Sequence, residues 1–367
     1  MSDQPHQFLF ITCQVGAEAA VKGELARLWP DFRFAYSRAG FLTFKLPADH
    51  GLADDFELGS VFARSYGFSL GKVAGEDADE LAKAAWKLAG DRPLAGLHVW
   101  QRDKAAPGDH GYEPAITPEA VAAEEALRRH APAPLADTPT IKSGDSVFDC
   151  ILVEPDQWWL GWHRVKDFAT RHPGGLVNLR LPDDAVSRAY LKMEEGLRWS
   201  KLPLKRGQRV AEIGCAPGGS CQALLRRGLH VVGIDPALVQ PSVLEHPHFV
   251  QIRKRGSEVR RREFRQIDWL MADMNVAPGY TLDTIEAIVT HPQVKVRGLL
   301  LTLKLLEWSL AAEVPQYLER IRSWGFEQVR ARQLHHNRQE ICVAAVRASS
   351  RRRSPKSLGE SRLHHHS

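Results

Sequence analysis

The sequence has few cysteines and no long hydrophobic run. Its 367 residues include five cysteines, and no two of them form a Cys-x-x-Cys pair. Such pairs are typical of structural zinc sites and redox motifs, so we expect reduced thiols, no disulfides and no bound metal. No segment approaches the ~20 apolar residues that span a bilayer, and the first residues lack the pattern of a secretory signal peptide. We therefore expect a cytoplasmic protein that does not enter a membrane.

A general excess of basic charge is also missing. The formal net charge is +5, but residues 348–367 alone carry +4 of it. The rest of the chain is nearly neutral, so affinity for nucleic acid would have to come from local basic clusters. The tail itself is rich in Arg and Ser and poor in apolar residues, and we predict that it is disordered.

The chain is too long for one ordinary core, and its patterns divide it into three folded parts before the tail. Residues 1–76 and residues 77–170 each mix short strands with amphipathic helices, which predicts two α+β modules. Residues 171–347 alternate apolar runs with helical segments, as in a mostly parallel, doubly wound α/β sheet. The strands predicted in that third part are 209–213, 230–234, 248–252, 268–272, 298–303 and 340–346.

A glycine-rich turn is the strongest local signal. The motif GCAPGGS occupies residues 214–220, between an apolar run and a helical segment, and a second apolar run then ends at Asp235. This is the order of a nucleotide-binding βαβ unit, in which the acid can hold a ribose diol. The motif lacks the Lys of a P-loop and the GxGxxG spacing of a dinucleotide site. It favours S-adenosylmethionine over a dehydrogenase-type cofactor, with a plain tight turn as the remaining interpretation.

Four charged residues lie at special places in the third part. Lys192 is in the helix before the glycine turn, Asp273 and Lys304 each follow an apolar run, and Glu340 begins the last predicted strand. The ligand crevice of an open α/β sheet lies beyond the carboxyl ends of its strands, so we expect these residues to converge there. Taken singly, each has a structural explanation, such as a solvated helix charge or an ion pair. As a set they predict a catalytic site.

The glycine turn and these four residues, in this order, resemble the K-D-K-E tetrad of the RrmJ/FtsJ-type RNA 2′-O-ribose methyltransferases. The segments most similar to the bacterial RlmM branch are 187–195, 272–274 and 331–340. This resemblance covers roughly residues 185–347. It implies S-adenosylmethionine-dependent 2′-O-ribose methylation of RNA, with a cytidine of 23S rRNA as the target. It also implies a Rossmann-like methyltransferase domain after a ferredoxin-like module (1–76) and a THUMP-like RNA-binding domain (77–170).

The resemblance also implies roles for individual residues. Lys304 would be the catalytic base, with Lys192, Asp273 and Glu340 completing the tetrad. The implied cofactor contacts are Ser187, Gly214, Ala216, Pro217, Gly218, Gly219, Asp235 and Asp273. Because a base must be neutral, we expect the nearby Lys192 charge and partial burial to lower the pKa of Lys304. We expect RNA as the partner, no metal, and a monomeric protein.

Two residues depart from the family pattern. Arg255 stands where a carboxylate commonly receives the adenine amino group, and Ser220 stands where the family usually has Trp. Arg cannot accept a hydrogen bond, so other groups would have to hold adenine. Two alternatives therefore stay open: an RNA-binding protein whose methyltransferase domain is vestigial, and a ribose methyltransferase that acts on a different RNA.

A basic cluster lies close to the predicted crevice. Seven Arg and Lys residues occur within residues 253–265, opposed by two Glu residues. Two interpretations are open, a solvated helix face and a patch that binds RNA phosphates.

Overall fold

In a computed structural model, residues 7–347 are described. The tail predicted to be disordered, residues 348–367, lies outside this range. The strands form two seven-stranded sheets, one from each half of the described chain. Within residues 7–347, no helix combines the length and apolar character that crossing a membrane requires.

The first half builds a sheet in the order β2-β3-β1-β4-β7-β6-β5, antiparallel except between β5 and β6. Its strands are β1 (Phe8–Thr12), β2 (Arg33–Arg38), β3 (Phe41–Lys45), β4 (Ser65–Ala74), β5 (Gly96–Gln101), β6 (Ser146–Glu154) and β7 (Gln157–Arg164). Its helices are α1 (Glu18–Leu28), α2 (Ala78–Ala89) and α3 (Pro118–Arg129). Helix α3 begins as its sequence predicts, because Thr117 caps the amide of Ala120 and Pro118 is the first helical residue.

Strand β4 joins the segments 1–76 and 77–170 into one sheet. This strand was not predicted from the sequence, and it pairs with β1 on one side and with β7 on the other. Two glycines and a Lys weaken its apolar pattern. Gly67 is needed there because a Cβ at this position would lie 2.4 Å from the carbonyl oxygen of Trp162. The two α+β segments thus share a continuous sheet.

The second half is the predicted doubly wound sheet, in the order β10-β9-β8-β11-β12-β14-β13. Its strands are β8 (Arg209–Ile213), β9 (His230–Ile234), β10 (Phe249–Ile252), β11 (Trp269–Asp273), β12 (Gly298–Lys304), β13 (Gln328–Arg332) and β14 (Glu340–Val346). Its helices are α4 (Ala189–Ser200), α5 (Gly219–Arg226), α6 (Pro241–Leu244), α7 (Pro278–Val289) and α8 (Val314–Ser323). The first five strands of that order are parallel, and β14 and β13 are antiparallel to their neighbours.

Short 3-10 turns complete the fold. They are Asp109–Gly111, Thr138–Thr140, Ala169–Arg171, Pro173–Gly175, Gly256–Glu258, Arg261–Phe264 and Trp308–Glu313. Two of them lie in the basic cluster 253–265, so the interpretation of that cluster as one face of a helix is wrong. Its basic side chains are exposed except for that of Arg261, which is half-buried.

The two halves contact each other close to the start of β14. Gln14 donates hydrogen bonds to the carbonyl oxygens of Asn337 (2.6 Å) and Leu334 (3.3 Å). Arg332 donates to the carbonyl oxygen of Arg64 at 2.7 Å. The Gln14 bonds connect the first half to the loop 333–339, which leads directly into Glu340, and the Arg332 bond connects it to the end of β13.

Candidate active site

The four predicted charged residues meet at one edge of the second sheet. Asp273 and Lys304 are the last residues of the parallel strands β11 and β12. Glu340 is the first residue of β14, and because β14 is antiparallel it lies opposite Lys304 in the register. Helix α4 supplies Lys192 from the layer above the sheet. The topology therefore brings together residues that are up to 148 positions apart in the chain.

Ion pairs link all four side chains. Lys192 Nζ lies 2.6 Å from Glu340 Oε1 and 3.4 Å from Asp273 Oδ2. Lys304 Nζ lies 3.4 Å from Asp273 Oδ1 and also donates to Glu340 Oε2. Asn337 donates to Glu340 Oε1 at 3.2 Å. The Glu340 side chain is 2% exposed and those of Lys304 and Asp273 are each 19% exposed, so the latter two can be reached by a ligand in the crevice.

The pKa of Lys304 differs from the expectation drawn from the sequence. Burial lowers this pKa, but the carboxylates of Asp273 and Glu340 outweigh burial and raise it above its ordinary value. The prediction that Lys192 and burial would lower it is therefore wrong for the protein alone, because each ammonium group is flanked by two carboxylates. For Glu340, burial raises the pKa, but Lys192 and Lys304 bring it below its ordinary value.

The glycine turn adopts conformations that require glycine. Gly214 has φ +81°, and a Cβ there would lie 2.4 Å from the carbonyl oxygen of Asp273. Gly218 has φ +118° and precedes α5. A Cβ on Gly219 would lie 2.2 Å from Ser187 Oγ. The turn therefore packs against the end of β11 and the start of α4, next to the tetrad.

A cavity of about 430 Å³ opens beside this turn. Gly214 and Asp235 line it, together with the apolar side chains of Ile234, Met274 and Val276. Its volume is in the range of small-molecule sites, and its apolar walls suit a flat heteroaromatic ring. The Asp235 carboxylate stands at the end of β9 and is oriented by two backbone amides, those of Ala216 at 3.1 Å and Ala237 at 2.8 Å.

The other predicted cofactor residues lie around the turn without lining this cavity. Ala216 orients Asp235, Pro217 is exposed, and Gly218 approaches Val243. Ser187 and Gly219 contact each other behind the turn. Arg255 lines the cavity, and among residues 7–347 Asp235 is the only acid that does so. An adenosyl group therefore fits this site through its ring and its ribose.

One buried acid of the site was not predicted from the sequence. Glu212, in β8, is fully buried, and among the described residues its carboxyl makes no hydrogen bond of normal geometry, only a looser contact with the Ser220 hydroxyl. It shares a cavity of about 20 Å³ with Lys192, Asp273 and Ser220. Burial and the Asp273 charge raise the pKa of Glu212 to about 8, while the Ser220 hydroxyl opposes the shift. The signal in the sequence that could have identified this residue is a Glu inside the apolar run 210–213.

With the fold and site in view, the comparisons with known proteins can be given. Residues 185–340 match the family of FtsJ-like methyltransferases. Among solved structures, TrmN from Thermus thermophilus resembles the chain at 16% identity and a TM-score of 0.36, over 93% of this chain and all of that one.

Two similar curated proteins are both named ribosomal RNA large subunit methyltransferase M. That of Laribacter hongkongensis is 31% identical over 216 residues, which cover 55% of this chain and 57% of the relative. That of Halorhodospira halophila is 33% identical over 186 residues, which cover 49% of this chain and 53% of the relative. The chain thus matches little more than half the length of these relatives.

Proposed function

We propose that this protein transfers a methyl group from S-adenosylmethionine to a ribose 2′-hydroxyl of RNA. One observation carries the proposal, the ion-paired network of Lys192, Asp273, Lys304 and Glu340 beside the cavity that Asp235 lines. The names of the similar curated proteins support ribosomal RNA as the substrate. In keeping with the sequence resemblance, we further propose a cytidine of 23S rRNA as the target and a monomeric, cytoplasmic enzyme.

The chain offers groups that suit each part of the cofactor. Asp235 would accept hydrogen bonds from the ribose diol, and Ile234, Met274 and Val276 would enclose the adenine ring. Since Arg255 cannot accept a hydrogen bond, the adenine amino group would donate to a backbone oxygen. When bound, S-adenosylmethionine supplies an electrophilic methyl group on a positively charged sulfur. Asp273 lies at the edge of the sheet where that charge would be stabilised.

Lys304 would accept the proton of the attacking hydroxyl. In the protein alone, Asp273 and Glu340 favour its charged form. A positive charge brought next to Asp273 would offset part of that effect and lower the pKa of Lys304 toward a value useful for a base. Lys192 and Asn337 hold Glu340 in place during this change. General-base assistance of this kind is typically worth roughly 10²–10⁴-fold in rate.

For RNA contact, we propose the basic cluster 253–265. Lys254 and Arg255 line the cofactor cavity, so the cluster adjoins the site of methyl transfer. Exposed Arg and Lys side chains bind phosphates without reading sequence. We also propose that the first half consists of a ferredoxin-like and a THUMP-like segment and presents the RNA to this site.

The direct test is Lys304→Ala. We expect a loss of methyl transfer of about 10²-fold or more with nearly unchanged cofactor affinity, because Lys304 acts on the acceptor hydroxyl. Methyl transfer to RNA and calorimetry with S-adenosylmethionine measure the two effects. Lys295→Ala is the matched control, since that exposed lysine lies beyond the opposite end of the strands. A Lys304→Ala protein that keeps most of its turnover would remove Lys304 from the mechanism.

One observation favours a second candidate. Because Arg255 lines the cavity and stands where the family commonly has a carboxylate, an RNA-binding protein with a vestigial methyltransferase domain is the alternative. The same calorimetry separates the two: absence of binding at millimolar S-adenosylmethionine would support the vestigial domain.

A further inference from the structure

Three metal-ligating side chains converge inside the first sheet, far from the tetrad in the chain. His98 in β5, Asp149 in β6 and His163 in β7 lie on neighbouring strands, and one ligand atom of each lies within 4.8 Å of the others. His98 is directly opposite Asp149 in the register. The side chains of His98 and Asp149 are fully buried, and that of His163 is 7% exposed. Strand alternation places all three on the same face of the sheet.

The polar atoms of this cluster are poorly satisfied by the protein itself. Within residues 7–347, neither ring nitrogen of His98 nor Oδ1 of Asp149 makes a hydrogen bond of normal geometry, although the backbone of Arg171 interacts with the His98 ring. The distance between His98 Nδ1 and Asp149 Oδ1 is 3.8 Å, which is too long for a hydrogen bond. Leaving such atoms buried without full hydrogen bonding destabilises the fold, so a group that satisfies them would stabilise it.

His163 has the orientation of a metal ligand. Its Nε2 lies 2.9 Å from the carbonyl oxygen of Thr170 and donates to it, which leaves Nδ1 to face the cluster. That Nδ1 lies 2.7 Å from Asp149 Oδ2. Histidines that bind metals usually donate their second ring N–H to a carbonyl or carboxylate in this way. Because His163 Nδ1 and Asp149 Oδ2 face each other at this distance, a cation or a proton must lie between them.

We infer that His98, Asp149 and His163 bind a divalent transition-metal ion, with Zn²⁺ the best match to two imidazoles and one carboxylate. Zinc takes these ligands at about 2.0–2.2 Å, so its donor atoms lie roughly 3.3 Å apart, and the present separations bracket that value. The site would connect β5, β6 and β7. Through Thr170 it would also fix the turns Ala169–Arg171 and Pro173–Gly175, which cover this face and bring Gly174 against Trp100.

The inference differs from the expectation of no metal that was drawn from the sequence. That expectation rested on cysteine spacing, whereas these ligands come from three strands and have no short motif. The role we assign to the ion is structural, because the cluster is buried and lies outside the tetrad. The proposed role is therefore tested by measuring the metal content and the stability of the protein.

The experiment measures zinc in the full chain, grown with zinc and isolated without metal-affinity chromatography. Because His364, His365 and His366 could hold metal by themselves, a protein with all three changed to Ala is analysed in parallel. We expect about one zinc per chain in both. Asp149→Asn and His98→Gln should lower zinc at least about fivefold. His248→Gln, which changes an exposed histidine beside His230, should leave zinc content unchanged.

A second measurement decides the case even if the two site variants fold poorly. After chelator treatment, Zn²⁺ but not Mg²⁺ should raise the melting temperature of the unaltered protein by about 4 °C or more at saturating metal. Zinc below about a tenth of an ion per chain, without a melting shift, would assign a buried water to the cluster and overturn the proposal. Zinc that disappears only with His364–His366 would overturn it equally.

Discussion

At the scale of single residues, Glu212 shows how burial controls charge. This carboxyl lies in a parallel strand, has lost its hydration and faces the negative charge of Asp273. An unpaired buried carboxylate is costly, so the neutral form is favoured and the pKa rises from 4.5 to about 8. Because a neutral Glu212 adds no charge beside Lys192 and Asp273, the two lysines and two carboxylates of the tetrad have a net charge of zero. We therefore expect Glu212 to be protonated at neutral pH.

Glu212→Gln should change how stability depends on pH. Between pH 4.5 and about 8 the folded protein holds a proton that the unfolded chain has lost, so the free energy of unfolding falls as pH rises. The variant has no ionisable group at this position, so its free energy of unfolding lacks this dependence on pH. We expect it to gain stability over the unaltered protein between pH 5 and pH 8, by on the order of 3 kcal/mol.

Denaturant unfolding at several pH values measures this effect. Glu125→Gln, at an exposed position in α3, is the control and should unfold in parallel with the unaltered protein at every pH. If the free energy of unfolding of Glu212→Gln changed with pH in the same way as that of the unaltered protein, the carboxyl would be ionised in the fold. Our account of its burial would then fail.

Residues of the candidate site could be predicted from the sequence where they stand at the end of a strand. Asp273, Lys304 and Glu340 each border an apolar run, and the structure brings them together with Lys192. Glu212 was missed because it lies inside a run. The pKa direction of Lys304 was wrong because it depends on distances to Asp273 and Glu340, which are set by the pairing of β12 with β14.

At the scale of elements, the glycine turn couples β8 to β11. Gly214→Ala places a Cβ 2.4 Å from the Asp273 carbonyl and at φ +81°, so the end of β11 must shift. We expect a loss of about 2 kcal/mol or more in stability and a marked loss of S-adenosylmethionine affinity.

The matched control is Gly23→Ala in the exposed face of α1. No atom lies within 4 Å of a Cβ built there, so this change should stabilise the protein by about 0.5–1 kcal/mol. Thermal unfolding and cofactor calorimetry on both variants measure the difference. If the two variants had equal stability and equal cofactor affinity, the turn would not need glycine at 214.

Most elements of the second half were predicted because strands and helices alternate regularly there. Strand β13 was missed because its sequence QVRAR carries two charges, and it lies at the edge of the sheet. Strand β4 was missed because glycine and polar residues break its pattern. Both strands are specified mainly by pairing with distant partners, which a local pattern does not contain.

At the scale of the whole molecule, the first half contacts the loop 333–339 that leads into the candidate active site. Gln14 is 2% exposed and bonds two carbonyl oxygens of that loop, which ends at the tetrad residue Glu340. Gln14→Ala leaves both oxygens unsatisfied, at a cost of about 1–3 kcal/mol. Because the loop carries Asn337 and leads into Glu340, the rate of methyl transfer should fall while cofactor affinity stays nearly constant.

Single-turnover kinetics and calorimetry separate these two effects. Gln316→Ala, an exposed position on α8, should change neither. A Gln14→Ala protein with an unchanged transfer rate would show that the halves act independently.

The central claim is methyl transfer to a ribose hydroxyl of RNA by the tetrad. The most direct measurement is ribose-methylation mapping of 23S rRNA from a strain that lacks this protein, before and after incubation with the purified chain and S-adenosylmethionine. We predict that one 2′-O-methylcytidine is absent from the strain, is restored by the protein, and is not restored by Lys304→Ala. A methyl group on a base, or an unchanged ribose map, would contradict the account.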